Sequence, residues 1–236
     1  MNSILDSNQE YTKEVTRDFF KSVYMYMFMA LAVSGIVAFM AGTPEFFVKY
    51  FVSADGLSVN ALFWVVALAP LGLGILMQMA YRRLSYGVLL ALYIAYSVLM
   101  GLSLSTVLLM YSGQSIALTF FVAAGAFAGM AVLGFTTKID LTRFGSLMYM
   151  AFIGIFIAGI ANIWIGSSAL DLGISVIGVF VFTGLTAYYM QTLKRASQDN
   201  AITGVERDKL ALVGGLILYI LFVNLFMSLL RLTGSD

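Results

Sequence analysis

Within long stretches that carry no charge, this chain keeps carboxamides at Gln78, Asn162, Gln191 and Asn224, together with hydroxyls at helical spacing. Ser175, Gly178, Phe182, Thr186 and Tyr189 fall on one helical face, and Gly214, Leu221, Asn224 and Ser228 on another, by the i, i+3, i+4, i+7 rule. Neutral oxygens arranged this way can do one of two things. They can line a path for a cation, or they can hydrogen-bond between neighbouring helices. Asp171 stands at the outer end of one such helix, where it could draw cations to a mouth or simply complement the helix dipole.

What is missing narrows the chemistry further. None of the 236 residues is a histidine or a cysteine. Imidazole general bases, H-E-x-x-H zinc sites, disulfides, thiolate metal ligands and thiol nucleophiles are therefore excluded. A serine activated by an intramembrane lysine and an intramembrane aspartyl pair have no residues to be built from, because every charge lies outside the apolar runs. No glycine-rich phosphate loop is present, and a net charge of +1 gives no case for nucleic acid. The residues read as a non-enzymatic protein with no catalytic group, metal site or cofactor.

The elements that hold these residues follow from the charges. Six charge-free runs cover 22–44, 56–81, 84–137, 144–170, 172–193 and 210–230. About 20 apolar residues of helix cross a hydrocarbon core of roughly 30 Å, so five runs are one span each. The 54-residue run would make a helix of roughly 80 Å and must turn back, most naturally at Tyr111-Ser112-Gly113-Gln114-Ser115. Seven transmembrane helices result, at about 22–42, 61–80, 87–110, 116–135, 147–165, 172–191 and 210–230. With 61% hydrophobic and 11% charged residues, a soluble fold could not clothe itself, and stretches such as Leu147 to Ile165 lack the alternation of a β-barrel strand. The expected class is all-α integral membrane protein, with the lipid bilayer as its first partner.

Basic residues give the orientation. With the N-terminus inside, the inner segments hold Lys13, Arg17, Lys21, Arg82, Arg83, Lys138, Arg143, Lys194, Arg195, Arg207 and Lys209, against Lys49 and Arg231 outside. That bias over short loops puts the N-terminus in the cytoplasm and the C-terminus across the membrane. Residues 1–21 form a polar, mixed-charge tail without the order of a signal peptide. Within it Val15, Phe19 and Tyr24 recur beside Lys13, Arg17 and Lys21, as in a short helix on the membrane surface; a partly ordered tail is the alternative. Residues 22–236 read as a single membrane domain with short loops. Gly125 with Gly129, and Gly154 with Ala158 and Ala161, are small-residue steps expected at helix contacts.

Gly134-Phe135-Thr136-Thr137-Lys138-Ile139-Asp140-Leu141, followed by Gly145-Ser146 and by Ala161-Asn162-Ile163, resembles the Bax inhibitor-1 family, also called TMBIM or YccA-like. Met100 to Ser105, Gly184 to Tyr188 and Asn224 to Leu230 are similar to its other signature stretches, and the likeness runs from about Tyr24 to Gly234. The resemblance implies six helices around a central, apolar seventh, in a bacterial cytoplasmic membrane; an organelle membrane stays open. It implies a pH-sensitive calcium leak pathway whose pore is held closed by a proton shared between two aspartates, since two close carboxylates in a low dielectric cannot both ionise.

At both acidic positions this chain departs. Tyr188-Tyr189-Met190-Gln191 stands where the family often has Tyr-Asp-Thr-Gln, and Leu218 to Asn224 places Leu221 at the second position. A tyrosine with an ordinary pKa of about 10 cannot switch near neutrality, and leucine cannot bind a cation. The expectation is a cation leak without the paired-aspartate switch, with Tyr189, Leu221, Asn224, Gln191, Asn162 and Asp171 as candidate pathway or gate residues. The alternative is a non-conducting protein that engages a membrane-bound AAA protease or a stress response through its inner tail and the 194–209 loop. A secondary transporter is less favoured, because no coupling carboxylate lies within a span.

Overall fold

The computed structural model describes residues 2–56, 58–199 and 201–234, with side chains at Glu10 and from Thr12 onward. It is built from helices α1 (Asn2–Ala41), α2 (Pro44–Phe51), α3 (Ala61–Ala80), α4 (Tyr86–Leu104), α5 (Val107–Met110), α6 (Gly113–Thr136), α7 (Thr142–Ile165), α8 (Ser168–Ser197) and α9 (Val205–Thr233). Seven segments are long and apolar enough to cross a membrane, and each overlaps one of the seven expected spans. Large apolar side chains point outward along them, among them Phe39 and Met79 at 80% exposure and Trp164 at 79%. Such a surface is stable only against lipid.

The differences from the sequence boundaries have local causes. Rather than starting at residue 22, α1 runs unbroken from Asn2, about 60 Å in all, so that roughly half its length lies beyond a hydrocarbon core. Within the 43–60 connection, Thr43 accepts from the Phe46 N–H and Pro44 occupies the first turn, which is enough to start the short helix α2. The third span is interrupted between α4 and α5. There Ser105 Oγ donates to the Leu102 carbonyl at 2.7 Å and Thr106 Oγ1 to the Ser103 carbonyl at 2.9 Å, drawing side chains back onto the helix at the point where it yields.

The chain forms two compact units. One comprises residues 1–111 with 197–219; the other comprises 112–196 with 220–236. In the first, α4 packs on α1 and α3. Gly101 presses on α1, where a Cβ would lie 2.7 Å from the Ser34 carbonyl oxygen. Gly215 of α9 does the same against Tyr26 and the Val23 carbonyl, at 2.6 and 2.8 Å. In the second unit, a Cβ on Gly134 of α6 would strike the backbone of Ala187 in α8, and one on Gly145 of α7 would strike the Tyr188 ring. Phe120 and Phe127 of α6 meet Phe222 of α9 edge-on, with centroids 5.4 and 5.7 Å apart.

These are not the glycines that motif reading selects. A Cβ added at Gly125, Gly129 or Gly154 meets no atom within 4 Å, so the Gly125/Gly129 step and the Gly154 end of the second stripe look out toward lipid. Within a bilayer no hydrophobic force gathers helices, so close approach is found only where a backbone or ring fits the missing side chain. Of the seven spans α9 is the most buried: 72% of its most apolar stretch is covered, against 6% for α7. Its first half belongs to one unit and its second half to the other.

Candidate functional site

The polar stripes meet in the second unit. Ser175, Gly178, Phe182 and Thr186 of α8 are buried, as are Leu221 and Ser228 of α9. The two helices touch where a Cβ on Gly178 would lie 2.6 Å from Ser228 Oγ. Both stripes therefore face inward. Their hydroxyls are nonetheless satisfied along their own helices: Thr186 Oγ1 donates to the Phe182 carbonyl at 2.7 Å, Ser175 Oγ to that of Asp171 at 2.8 Å and Ser228 Oγ to that of Asn224 at 2.8 Å. Asn224 behaves alike, its Nδ2 donating to the Ile220 carbonyl at 2.8 Å. Gln78, in the other unit, donates to the Gly74 carbonyl at 3.1 Å.

Tyr189 and Leu221 occupy different surroundings. The Tyr189 hydroxyl is hydrogen-bonded to that of Tyr149 in α7, and its ring stands edge-on to Tyr188 with centroids 5.4 Å apart. Leu221 is 5% exposed and lies next to Phe222, which is clasped by the α6 phenylalanines. One position is thus a capped hydroxyl and the other a packed alkyl group.

Gln191 has a definite task. Buried near the C-terminal end of α8, it donates from Nε2 to the Ile139 carbonyl at 2.7 Å and accepts from the Leu141 N–H at 2.9 Å, holding the α6–α7 connection at two points. The same loop is held from outside by Asp140. Its Oδ1 accepts from the Thr142 hydroxyl at 2.7 Å, from the Thr142 N–H at 3.0 Å and from Arg195 Nη2 at 2.9 Å. These bonds, the Thr142 hydroxyl first, draw the carboxyl pKa down to about 2. Lys194 Nζ completes the clamp by donating to the Phe135 carbonyl at 2.8 Å.

At the other end of the spans, Asn162 closes the α7–α8 turn. Its Oδ1 accepts from the Ser167 N–H at 3.0 Å and its Nδ2 donates to the Ser167 carbonyl at 3.2 Å, while Gly166 takes the left-handed conformation at φ 65° that ends α7. Asp171 is paired with Arg231 at 3.4 Å, both about half exposed. A carboxylate engaged in this way attracts a passing cation less than a lone one would.

The structure also holds polar residues that the charge pattern does not signal. In the first unit the Tyr26 and Tyr86 hydroxyls are 2.7 Å apart, Tyr93 Oη donates to the Tyr26 carbonyl at 2.5 Å, and Tyr96 meets Tyr219 edge-on at 6.0 Å. Each of these rings counts as apolar in a hydropathy reading, so only the spacing of Tyr86, Tyr93 and Tyr96 on one helix could have drawn notice.

Comparison with known proteins settles the lineage. Residues 16–236 match the family model described as inhibitor of apoptosis-promoting Bax1. The chain belongs to the Bax inhibitor-1 family. Among its relatives in this family, the inner membrane protein YbhL of Escherichia coli K12 is 39% identical over 216 residues, which covers 90% of this chain and 89% of YbhL. A Caulobacter vibrioides protein is 40% identical over 226 residues, 93% of this chain and 89% of its own length. A Borreliella burgdorferi protein is 34% identical over 233 residues, 98% of each. As a Bax inhibitor-1 protein the chain is a multi-pass membrane protein, and its Tyr189 and Leu221 are the positions where the resemblance led one to look for carboxylates.

Proposed function

We propose that this Bax inhibitor-1 protein is a calcium-linked cation leak pathway that has lost the proton-sharing switch, working without enzymatic chemistry or a cofactor. The observation that carries the reading is the content of the two acidic positions: a Tyr189 hydroxyl bonded to Tyr149, and a buried Leu221. Both lie in the unit where α8 and α9 bring their inward stripes together at Gly178 and Ser228. Neither group is a carboxylate, so no proton can be shared between two acids here and closure rests on packing.

The charge bias supports an inner N-terminus and an outer C-terminus in a cytoplasmic membrane. Calcium flux into proteoliposomes at pH 6 and pH 8, for the native chain and for Tyr189→Asp with Leu221→Asp, tests the proposal. Flux through the native protein that is equal at the two pH values is expected, and the double variant should regain pH dependence. A native flux that changes about tenfold between them would refute the loss of the switch.

The second reading, an interaction protein gripped by a membrane-bound AAA protease, is favoured by the length of α1 beyond the bilayer. Met1 lies outside the described residues, and Thr16 is buried with its hydroxyl 3.2 Å from that of Ser197. Removing residues 1–10 therefore leaves this packing in place. Under the second reading that deletion abolishes protease binding, and the native chain shows no flux at either pH.

A further inference from the structure

Near the cationic end of the first unit, Tyr81, Arg82, Ile202, Glu206, Lys209 and Leu210 line a small cleft that opens to solvent. It lies just beyond the end of α3 and against the first turns of α9, where the apolar run of that helix begins. That places it at the depth of lipid head groups. Arg82 Nε donates to Tyr81 Oη at 3.1 Å, and the guanidinium lies 5.7 Å from the ring centroid. The Tyr81 hydroxyl, acting there as acceptor, retains its own proton to donate.

Arg82 and Lys209 have no carboxylate within 4 Å among the described ion pairs. Glu206 offsets one of the two positive charges and is favoured where it stands by the N-terminal end of α9. One wall is fixed, because Arg207 Nη2 donates to the Ile202 carbonyl at 2.7 Å. Ile202 and Leu210 add apolar side chains to the lining. A forked guanidinium, an ammonium and a hydroxyl donor beside apolar side chains match the oxygens of a phosphate group joined to something less polar.

We infer that this cleft binds a phosphate oxyanion through Arg82, Lys209 and Tyr81. Two sources carry that chemistry: the head group of an anionic phospholipid in the same leaflet, and free phosphate. Isothermal titration of the full chain in a maltoside detergent separates them, with inorganic phosphate in one arm and soluble dihexanoylphosphatidylglycerol in the other. Saturable binding of the lipid alone assigns the site to membrane lipid; binding of both with similar affinity assigns it to phosphate itself.

In either arm, Arg82→Gln with Lys209→Gln weakens binding about tenfold or more, whereas Arg83→Gln leaves it within about twofold. Glu206→Gln removes only an exposed opposing charge, so it keeps the fold and tightens binding a few-fold. No saturable binding in either arm, an equal loss in Arg83→Gln, or weaker binding in Glu206→Gln would overturn the inference.

Discussion

A methyl group added at residue 134 has nowhere to go. The atoms it meets belong to the backbone of Ala187, not to a side chain that could rotate away, and Thr186 and Ala187 are themselves 0% and 2% exposed. Relief requires α6 and α8 to part. Overpacking of this kind costs about 1–3 kcal/mol, and a backbone partner places Gly134→Ala at about 3 kcal/mol. Alanine returns up to about 1 kcal/mol of helix propensity, leaving a net loss of about 2 kcal/mol. For a chain of this size that is about 4–8 °C in Tm.

Gly125 is the control. It lies on the same helix with nothing within 4 Å of its added Cβ, so Gly125→Ala keeps the propensity gain alone and should raise Tm by up to about 4 °C. Intrinsic fluorescence during heating of the detergent-solubilised protein reads both. If the two glycines respond alike, the close α6–α8 contact is not what holds this unit together.

Two further perturbations bear on the α6–α7 connection. Gln191→Leu leaves the Ile139 carbonyl and Leu141 N–H without their partner, at about 1 kcal/mol for each bond, and should speed hydrogen exchange across 137–141 while leaving α9 protected. Asp140 has a folded pKa of about 2, below the ordinary 3.8, so its contribution is complete above about pH 4 and fades as pH falls through about 2. The Tm difference between the native chain and Asp140→Asn is accordingly constant from pH 8 to pH 5 and closes below about pH 4.

How much the sequence discloses depends on which force writes the signal. Charge exclusion from hydrocarbon is strong and sequential: each of the seven long apolar helices overlaps a span read from it, and α3 and α6 end within two residues of Arg82 and Lys138. It was blind to where a helix persists into water, as α1 does through Lys13 and Arg17, because mixed charge ends an apolar run without ending a helix. The inward direction of the α8 and α9 stripes was also legible, since burial follows helical period.

The roles of individual polar groups were not legible. Gln191 and Asn162 could be placed on a helix but not assigned to Ile139, Leu141 and Ser167, which lie in loops whose path no periodicity describes. Likewise Gly125 and Gly129 have the spacing of a contact, and Gly134 and Gly145 have none. What distinguishes them is a neighbour far along the chain, Ala187 or Tyr188, that a spacing rule does not see.

The division of α9 between the two units sets a schedule for biogenesis. Residues 205–219 furnish Leu212, Leu216, Leu218 and Tyr219, all 0% exposed, to one unit, and residues 220–233 furnish Leu225 and Leu230, also 0% exposed, to the other. This helix follows every other helix of both units in the chain. Both halves of the protein must therefore wait in the bilayer, incompletely packed, until α9 emerges, and a ribosome that stalls before Val205 leaves two unfinished halves instead of one finished and one missing.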